Sequence, residues 1–297
     1  MSAISASAVS VRIEGHEITI TNPDKMLWPE EGITKLDYVR HLAELSPYLL
    51  PYTKGRYLTT IRFPDGIGGQ AFYQKNCPEP FPGFIHTVQL DKIRYVNLDS
   101  AAALIWLGNL ACIEFHPSLH GIGNDLPLEW IIDIDPSREE ERRLPQAALI
   151  VGELLDKLGI ASIPKTSGAT GMQIVTPIRR GYTFEELRKL GKLIGEFLAA
   201  KHPRLFTVER ATKKRGELIY IDYLQHWRGK TLSAPYTPRA RPGAPVSTPL
   251  EWSEVEAGFH PRDFHLGNIK ERLRQKGDLL AKTPPQVLDH ILERLER

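Results

Sequence analysis

The segment Leu128-Glu129-Trp130-Ile131-Ile132-Asp133-Ile134-Asp135-Pro136 constrains the fold more than any other stretch of the chain. Its near-continuous apolar run fits a strand buried on both faces, and a proline directly after Asp135 ends the ladder there. Successive side chains alternate across a strand, so Asp133 and Asp135 project from one face while Ile134 turns to the other. Such a sheet needs cover on both sides. The 297 residues, 41% of them apolar, can provide it as one large domain or two closely packed ones.

Around this strand the pattern predicts both helices and strands. SVRI and ITIT flank Glu14-Gly15 as a hairpin, and a polar loop from Thr21 to Gly32 follows. Thr34 then caps a helix with Leu36, Val39, Leu42 and Leu45 on its apolar face, expected to end before Pro51. YLTTIRF, IRYVN and CIEFH read as strands, the last running into a loop over 117–127, and Asp99 is placed to cap a helix over 100–110. In the second half, a helix over 144–158 precedes the hairpin SIPKT and MQIVT. The spacing of Phe184, Leu187, Leu190, Ile194, Phe197 and Leu198 predicts a helix over 184–201. ELIYID is a strand, the proline-rich run 234–249 is irregular, and helices near 268–275 and 284–296 close the chain. Hairpins outnumber crossovers, so the expected class is α+β, with mixed or antiparallel sheets and flanking helices. The expected organisation is a single domain over 1–297, with a flexible tail at 1–10, an N-terminal subregion over 11–127 and a catalytic subregion over 128–297.

The chemistry concentrates on carboxylates. Adjacent aspartates at a strand end repel unless a cation neutralises them, and oxygen donors of this kind select magnesium or manganese. ELIYID delivers a third, Asp222, after another apolar run. Three such groups can hold two ions about 3.5 to 4 Å apart, although Asp-x-Asp alone is more often a turn or capping feature. The loop Lys165-Thr166-Ser167-Gly168-Ala169-Thr170-Gly171 offers hydroxyls and flexible amides to phosphate or is a plain hairpin turn, and it lacks the P-loop pattern. Asn22, Lys25 and Lys35 cluster around a helix N-terminus where a terminal phosphate fits, or simply solvate the surface. Phe72-Tyr73 is a base-stacking pair or a piece of core. His116 ends a strand, as a phosphate donor or a structural histidine. Lys213-Lys214-Arg215 reads as a solvated hairpin tip.

Net charge is only +2, so affinity for nucleic acid has to come from such local clusters. The two cysteines, Cys77 and Cys112, lack metal or disulfide spacing and suit a reducing compartment. No leader or membrane span is visible, and a cytoplasmic, nucleoid-associated protein is expected.

Asp133-Ile134-Asp135-Pro136, the Thr166 to Gly171 loop, Ile221-Asp222-Tyr223-Leu224-Gln225 and Ala234-Pro235-Tyr236 together resemble the polymerase domain of bacterial ATP-dependent DNA ligase D, in the archaeo-eukaryotic primase superfamily. The resemblance runs from Thr21-Asn22-Pro23-Asp24-Lys25 to about Gly277-Asp278-Leu279-Leu280. It implies a primase-polymerase-like core and a template-directed polymerase of non-homologous end joining. Such an enzyme fills gaps at 5′-phosphorylated double-strand ends with NTPs in preference to dNTPs, using two Mn2+ or Mg2+ ions. The resemblance assigns Asp133, Asp135 and Asp222 to the metals, and His116, Ser167, Gln225 and Arg239 to the nucleotide, with Thr170 and Gln173 in the phosphate loop. It assigns Phe72 and Tyr73 to stacking, Asn22, Lys25 and Lys35 to the 5′-phosphate, and Arg62 to the template. Thr170 and Gln173 replace a lysine and a histidine frequent in the family, and glutamine donates a hydrogen bond without carrying charge. Ku and an ATP-dependent ligase are the implied partners, beside a stand-alone protein or a fragment of a larger one. A primase-polymerase of another repair route, a nuclease and a non-catalytic DNA-end adaptor are the competing readings.

Overall fold

The structure is a computed structural model that describes residues 8–295. It divides into two compact units, one of residues 1–118, 231–246 and 265–271, the other of 119–230, 247–264 and 272–297. The two expected subregions therefore interleave in sequence instead of meeting at residue 127. The cause is the strand Cys112–Gly121, which draws residues 231–234 back into the first unit through Ala234 N–H to Phe115 O and Leu232 N–H to Pro117 O, with a bridge between Ser118 and Thr231.

In the first unit the hairpin Ala8–Ile13 and His16–Thr21 turns at Glu14 and Gly15, both at positive φ (50° and 82°). The tail expected over 1–10 thus has its residues 8–10 in a strand, and residues 1–7 lie outside the described residues. Thr34 and Asp37 form a reciprocal capping box on the helix Lys35–Thr53. That helix runs through Pro47 and Pro51 instead of stopping. The Ser46 hydroxyl donates to Ala43 O at 2.8 Å, serving the carbonyl that Pro47, lacking an N–H, leaves open. A three-stranded sheet orders Phe72–Gln74, Arg56–Arg62 and Cys112–Gly121, so the last strand continues through Pro117, where a loop was expected. Ser100, not Asp99, caps the helix Ala101–Asn109, its hydroxyl accepting Ala103 N–H at 3.2 Å.

The second unit is built on a five-stranded sheet in the order Ile163–Thr166, Met172–Pro177, Glu129–Asp135, Ile219–Asp222 and Phe206–Thr207, antiparallel except for the last pair. Alternation sorts its two faces. Trp130, Ile132, Ile134, Met172, Ile174, Ile219 and Ile221 join one core with Val151 and Leu155 of the helix Leu144–Lys157 and Leu187, Leu190 and Ile194 of the helix Phe184–Lys201. Asp133, Asp135, Gln173 and Asp222 occupy positions of the opposite face. Phe197, part of the apolar spacing that predicts this helix, is 47% exposed and lies under the Lys201 ammonium, 5.5 Å from the ring centroid. A short helix Trp252–Ala257 follows the proline-rich run, and the final helices are Ile269–Lys276 and Asp289–Leu295. The first five residues of the expected 284–296 helix stay outside regular helix because Pro284 and Pro285 hold the chain extended there. No described helix is long and apolar enough to cross a membrane.

Candidate active site

The central strand owes its place to its apolar run, and its carboxylates owe theirs to register. Asp133 stands directly opposite Asp222 on one neighbouring strand and opposite Gln173 on the other, while Gln173 is opposite Lys165 one strand further out. Lys165, Gln173, Asp133 and Asp222 thus form a row across four strands, with Asp135 two residues further along the central one. Directly opposed residues lie close enough for their charges to interact strongly.

Burial raises the Asp133 carboxyl, and the charges of Asp135 and Asp222 raise it further. A Gln173 hydrogen bond and the Lys165 charge act the other way. The same two causes, burial and then Asp222, raise Asp135. Asp222 is fixed by its Oδ1, which accepts from Tyr220 Oη, Leu224 N and Gln225 N, each at 3.0 Å. Gln225, expected at the nucleotide, thereby also closes the turn that holds the third carboxylate. Among the described residues no group of three or more His, Cys, Asp or Glu side chains is drawn together tightly enough to hold a metal ion. The donor set, three hard oxygen ligands whose charged forms oppose one another, suits a divalent cation and nothing softer. The side-chain oxygen of Gln173, 3% exposed, is buried without a hydrogen-bond partner beside Asp133.

Two residues outside the expected set belong to this corner. Lys165 is 2% exposed and donates from Nζ to Ser247 Oγ at 2.6 Å, a buried cation in the same row as the acids. Arg215, read from sequence as part of a solvated tip, is buried with its guanidinium 3.8 Å over the Tyr220 ring, donates to Glu209 O and Arg210 O, and opposes the charge of Asp135. Arg215 sits in a short helical turn, Thr212–Arg215, and Gly216 at positive φ sends the chain straight into the Asp222 strand. The turn glycine was the available signal.

The phosphate-loop candidate is the tip of a hairpin whose geometry is internally satisfied. Ser167 Oγ accepts from Ala169 N and Gly171 N, both at 3.1 Å, so this hydroxyl shapes the loop. Thr170 is partly exposed at the tip. Gly171 is required by packing, since a Cβ there would stand 2.5 Å from the Ile134 carbonyl oxygen, between the two strand aspartates in sequence.

In the first unit, Glu114 and His116 alternate onto one face of their strand, and His116 Nε2 lies 2.9 Å from Glu114 Oε2. Arg239 Nε lies 3.0 Å from the same oxygen, and Ala240 N–H donates to Oε1 at 3.0 Å. Burial would raise the Glu114 carboxyl, but the His116 hydrogen bond, Arg239 and Ala240 together hold it down at about 2. The proline-rich run that carries Arg239 is largely buried, with Tyr236 1% and Thr237 0% exposed, so it is no solvated loop.

The expected 5′-phosphate residues do meet. Lys35, 4% exposed, donates from Nζ to Thr21 Oγ1 and Asn109 O, both at 3.2 Å, and burial together with the Lys25 charge lowers it to about 8. Lys25 pairs with Asp65 at 2.9 Å, and Asn22 takes positive φ (47°), with its carbonyl accepting Lys25 N–H at 3.1 Å. The helix amides expected to face an anion are already used, Lys35 N by Lys25 O, Leu36 N by Pro23 O and Asp37 N by Thr34 Oγ1. Only side chains remain for a phosphate. Phe72 and Tyr73 are 46% and 79% exposed, so they form no part of a core. Arg62, opposite Phe72 in register, donates to Leu110 O and Gln74 Oε1, both at 3.0 Å.

Known proteins resemble this chain over most of its length. The family model described as LigD, primase-polymerase domain, matches residues 34–280. The bifunctional non-homologous end joining protein LigD of Bacillus subtilis is 35% identical over 287 residues, 95% of this chain and 47% of that protein. The multifunctional LigD of Pseudomonas aeruginosa is 30% identical over 277 residues, 90% of this chain and 33% of that one. The chain therefore spans about half or less of these relatives' length. The polymerase domain of Mycobacterium tuberculosis ligase D in complex with DNA superposes with a TM-score of 0.81 at 28% identity, covering 90% of this chain and 99% of that domain.

Proposed function

The chain belongs to the family of LigD primase-polymerase domains, metal-dependent nucleotidyltransferases, and from that premise we propose that it extends a 3′-hydroxyl by template-directed nucleotidyl transfer at broken DNA ends in non-homologous end joining. The observation that carries the reading is the register that sets Asp133 opposite Asp222 with Asp135 two residues along the same face. Asp133, Asp135 and Asp222 are the ligands in this proposal. Two manganese or magnesium ions, when bound, would polarise the attacking hydroxyl and the α-phosphate and neutralise the departing pyrophosphate. Rigid strands hold these carboxylates before the substrate arrives, which lowers the reorganisation needed in the transition state. Gln173 stands in the row as an uncharged hydrogen-bonding neighbour of Asp133, so in this chain neither it nor Ser167 and Thr170 of the phosphate loop contributes a cation.

His116, Gln225 and Arg239 are proposed to contact the nucleotide, whose NTP form is preferred to the dNTP. Phe72 and Tyr73 supply exposed ring faces, the kind of surface on which any base stacks, and Arg62 is proposed to approach the template. Asn22, Lys25 and Lys35 are proposed to receive the 5′-phosphate of the downstream strand, with Ku and an ATP-dependent ligase as partners at the break. Primer extension on a gapped, 5′-phosphorylated duplex with manganese tests the proposal. The wild-type protein should add nucleotides and Asp133→Ala should not, and equal incorporation by the two would refute it.

A further inference from the structure

We propose that Glu114 is a positioning residue for the polymerase reaction, holding His116 and Arg239 together as one cradle for the triphosphate of the incoming nucleotide. The inference rests on the reading given under Proposed function and extends it to a residue with no assigned role. A single carboxylate oxygen serves both groups, at 2.9 Å from His116 Nε2 and 3.0 Å from Arg239 Nε, while the second oxygen takes Ala240 N–H at 3.0 Å. The carboxylate is the deepest of the three side chains, 7% exposed against 15% for His116 and 16% for Arg239.

Two features separate this from a structural ion pair. The segments are already joined without Glu114, by Ala234 N–H to Phe115 O and Phe115 N–H to Thr237 Oγ1, both at 3.0 Å. Arg239 is further fixed by its own backbone, whose N–H donates to Pro245 O at 2.8 Å. A buried carboxylate is also a poor choice for fastening alone, since well-packed apolar residues hold such segments at no desolvation cost. What a carboxylate adds is charge. It allows an imidazole and a guanidinium to be held side by side by offsetting the repulsion between their charged forms, with a hydrogen bond directing the imidazole and charge attraction at 3.0 Å holding the guanidinium. Tyr38 of the helix Lys35–Thr53, whose phenol feels the Glu114 charge, is pushed well above its ordinary value, chiefly by burial, and does not change charge near neutral pH.

Steady-state gap filling by Glu114→Gln, with a thermal melt alongside, tests this. The substitution keeps the shape and removes the charge. The KM for NTP should rise about tenfold or more, the scale of a lost charge-assisted hydrogen bond, with kcat much less affected and the melting temperature close to wild type. Tripolyphosphate should weaken as a competitor in parallel. In a His116→Ala, Arg239→Ala background the same change should alter KM less than about twofold, because Glu114 then has nothing to position. An unchanged KM, or the same fold-loss in both backgrounds, overturns the proposal. If Glu114→Gln does not fold, Glu114→Asp takes its place, and a wild-type KM there overturns the proposal equally. Asp133→Ala, assayed in parallel, separates the failures: if it stays active the polymerase reading falls, and if it is dead while Glu114→Gln keeps a wild-type KM, only the role of Glu114 falls.

Discussion

Gly171→Ala should damage activity far more than stability, and the structure gives the scale of both. A Cβ at this position would lie 2.5 Å from the Ile134 carbonyl oxygen and 3.4 Å from Asp135 Oδ1 and Pro136 Cδ. Close carbon to oxygen contacts ordinarily stand at roughly 3.3 to 3.6 Å, so the strand Met172–Pro177 or the central strand must yield by up to about 1 Å. Overpacking of this kind costs about 1 to 3 kcal/mol, or a fall in melting temperature of about 2 to 5 °C for a chain of this size. The displacement falls on Ile134, the residue between two of the three aspartates, and Met172 is its register partner. Misplacing a reacting group by about 1 Å can cost a hundredfold in rate. Gly258→Ala is the matched control. Gly258 also lies in the second unit, has positive φ (84°) and offers open space, with nothing within 4 Å of the point a Cβ would occupy, so only backbone strain, about 1 to 3 kcal/mol, is expected. Both proteins would be melted and assayed for primer extension with manganese. If Gly171→Ala melts lower yet extends primers at the rate of Gly258→Ala, the tight approach of loop to strand does not position the carboxylates.

Lys165→Met should lower the stability of the metal-free protein by about 2 to 4 kcal/mol, because the acids lose their buried counter-charge. Manganese should restore part of the loss, as denaturation with and without the ion would reveal. Tyr73→Ala, at a position 79% exposed, should leave stability within about 0.5 kcal/mol while weakening single-stranded template binding by about 1 to 3 kcal/mol in fluorescence anisotropy. Burial and the Lys25 charge lower Lys35 to about 8 from 10.5, so in DNA-free protein its ammonium is present below that pH and is lost above it. Preference for a 5′-phosphorylated over an unphosphorylated gap should therefore decline between about pH 7 and 9. A flat profile in that window, measured by competition binding, would exclude Lys35 as a phosphate ligand.

Much of the second unit was legible because one pattern implied another. A strand apolar on both faces required a sheet, the sheet required helices, and Phe184–Lys201 emerged with the expected ends because Thr183 and Glu186 cap it. The helix through Pro47 and Pro51 was not legible, since proline reads as a stop and the Ser46 hydroxyl that serves Ala43 becomes visible only in three dimensions. The interleaving of the two units was hidden for the same reason. Proline-rich sequence signals irregular backbone, but it does not say which strand that backbone will follow.

At the candidate site, residue types could be read from sequence but partnerships could not. Asp133 and Asp135 declared their shared face through a spacing of two, whereas Glu114 and His116, which share a face by the same rule, were not paired from sequence. The meeting of Asp133 with Asp222, and of Gln173 with Asp133, depends on register between strands separated by tens of residues. Lys165 illustrates the consequence. Read along the chain it opens a loop rich in hydroxyls and glycine, which invites a phosphate-binding role. Read across the sheet it is a buried ammonium in line with two aspartates, and charges in low-dielectric surroundings act over such distances far more strongly than in water. Gln173, where a histidine is frequent in the family, leaves Lys165 as the row's only cation. In the proposed metal site, the glutamine that looked like a weakened phosphate contact thus also sets how much negative charge the three aspartates would present to an incoming ion.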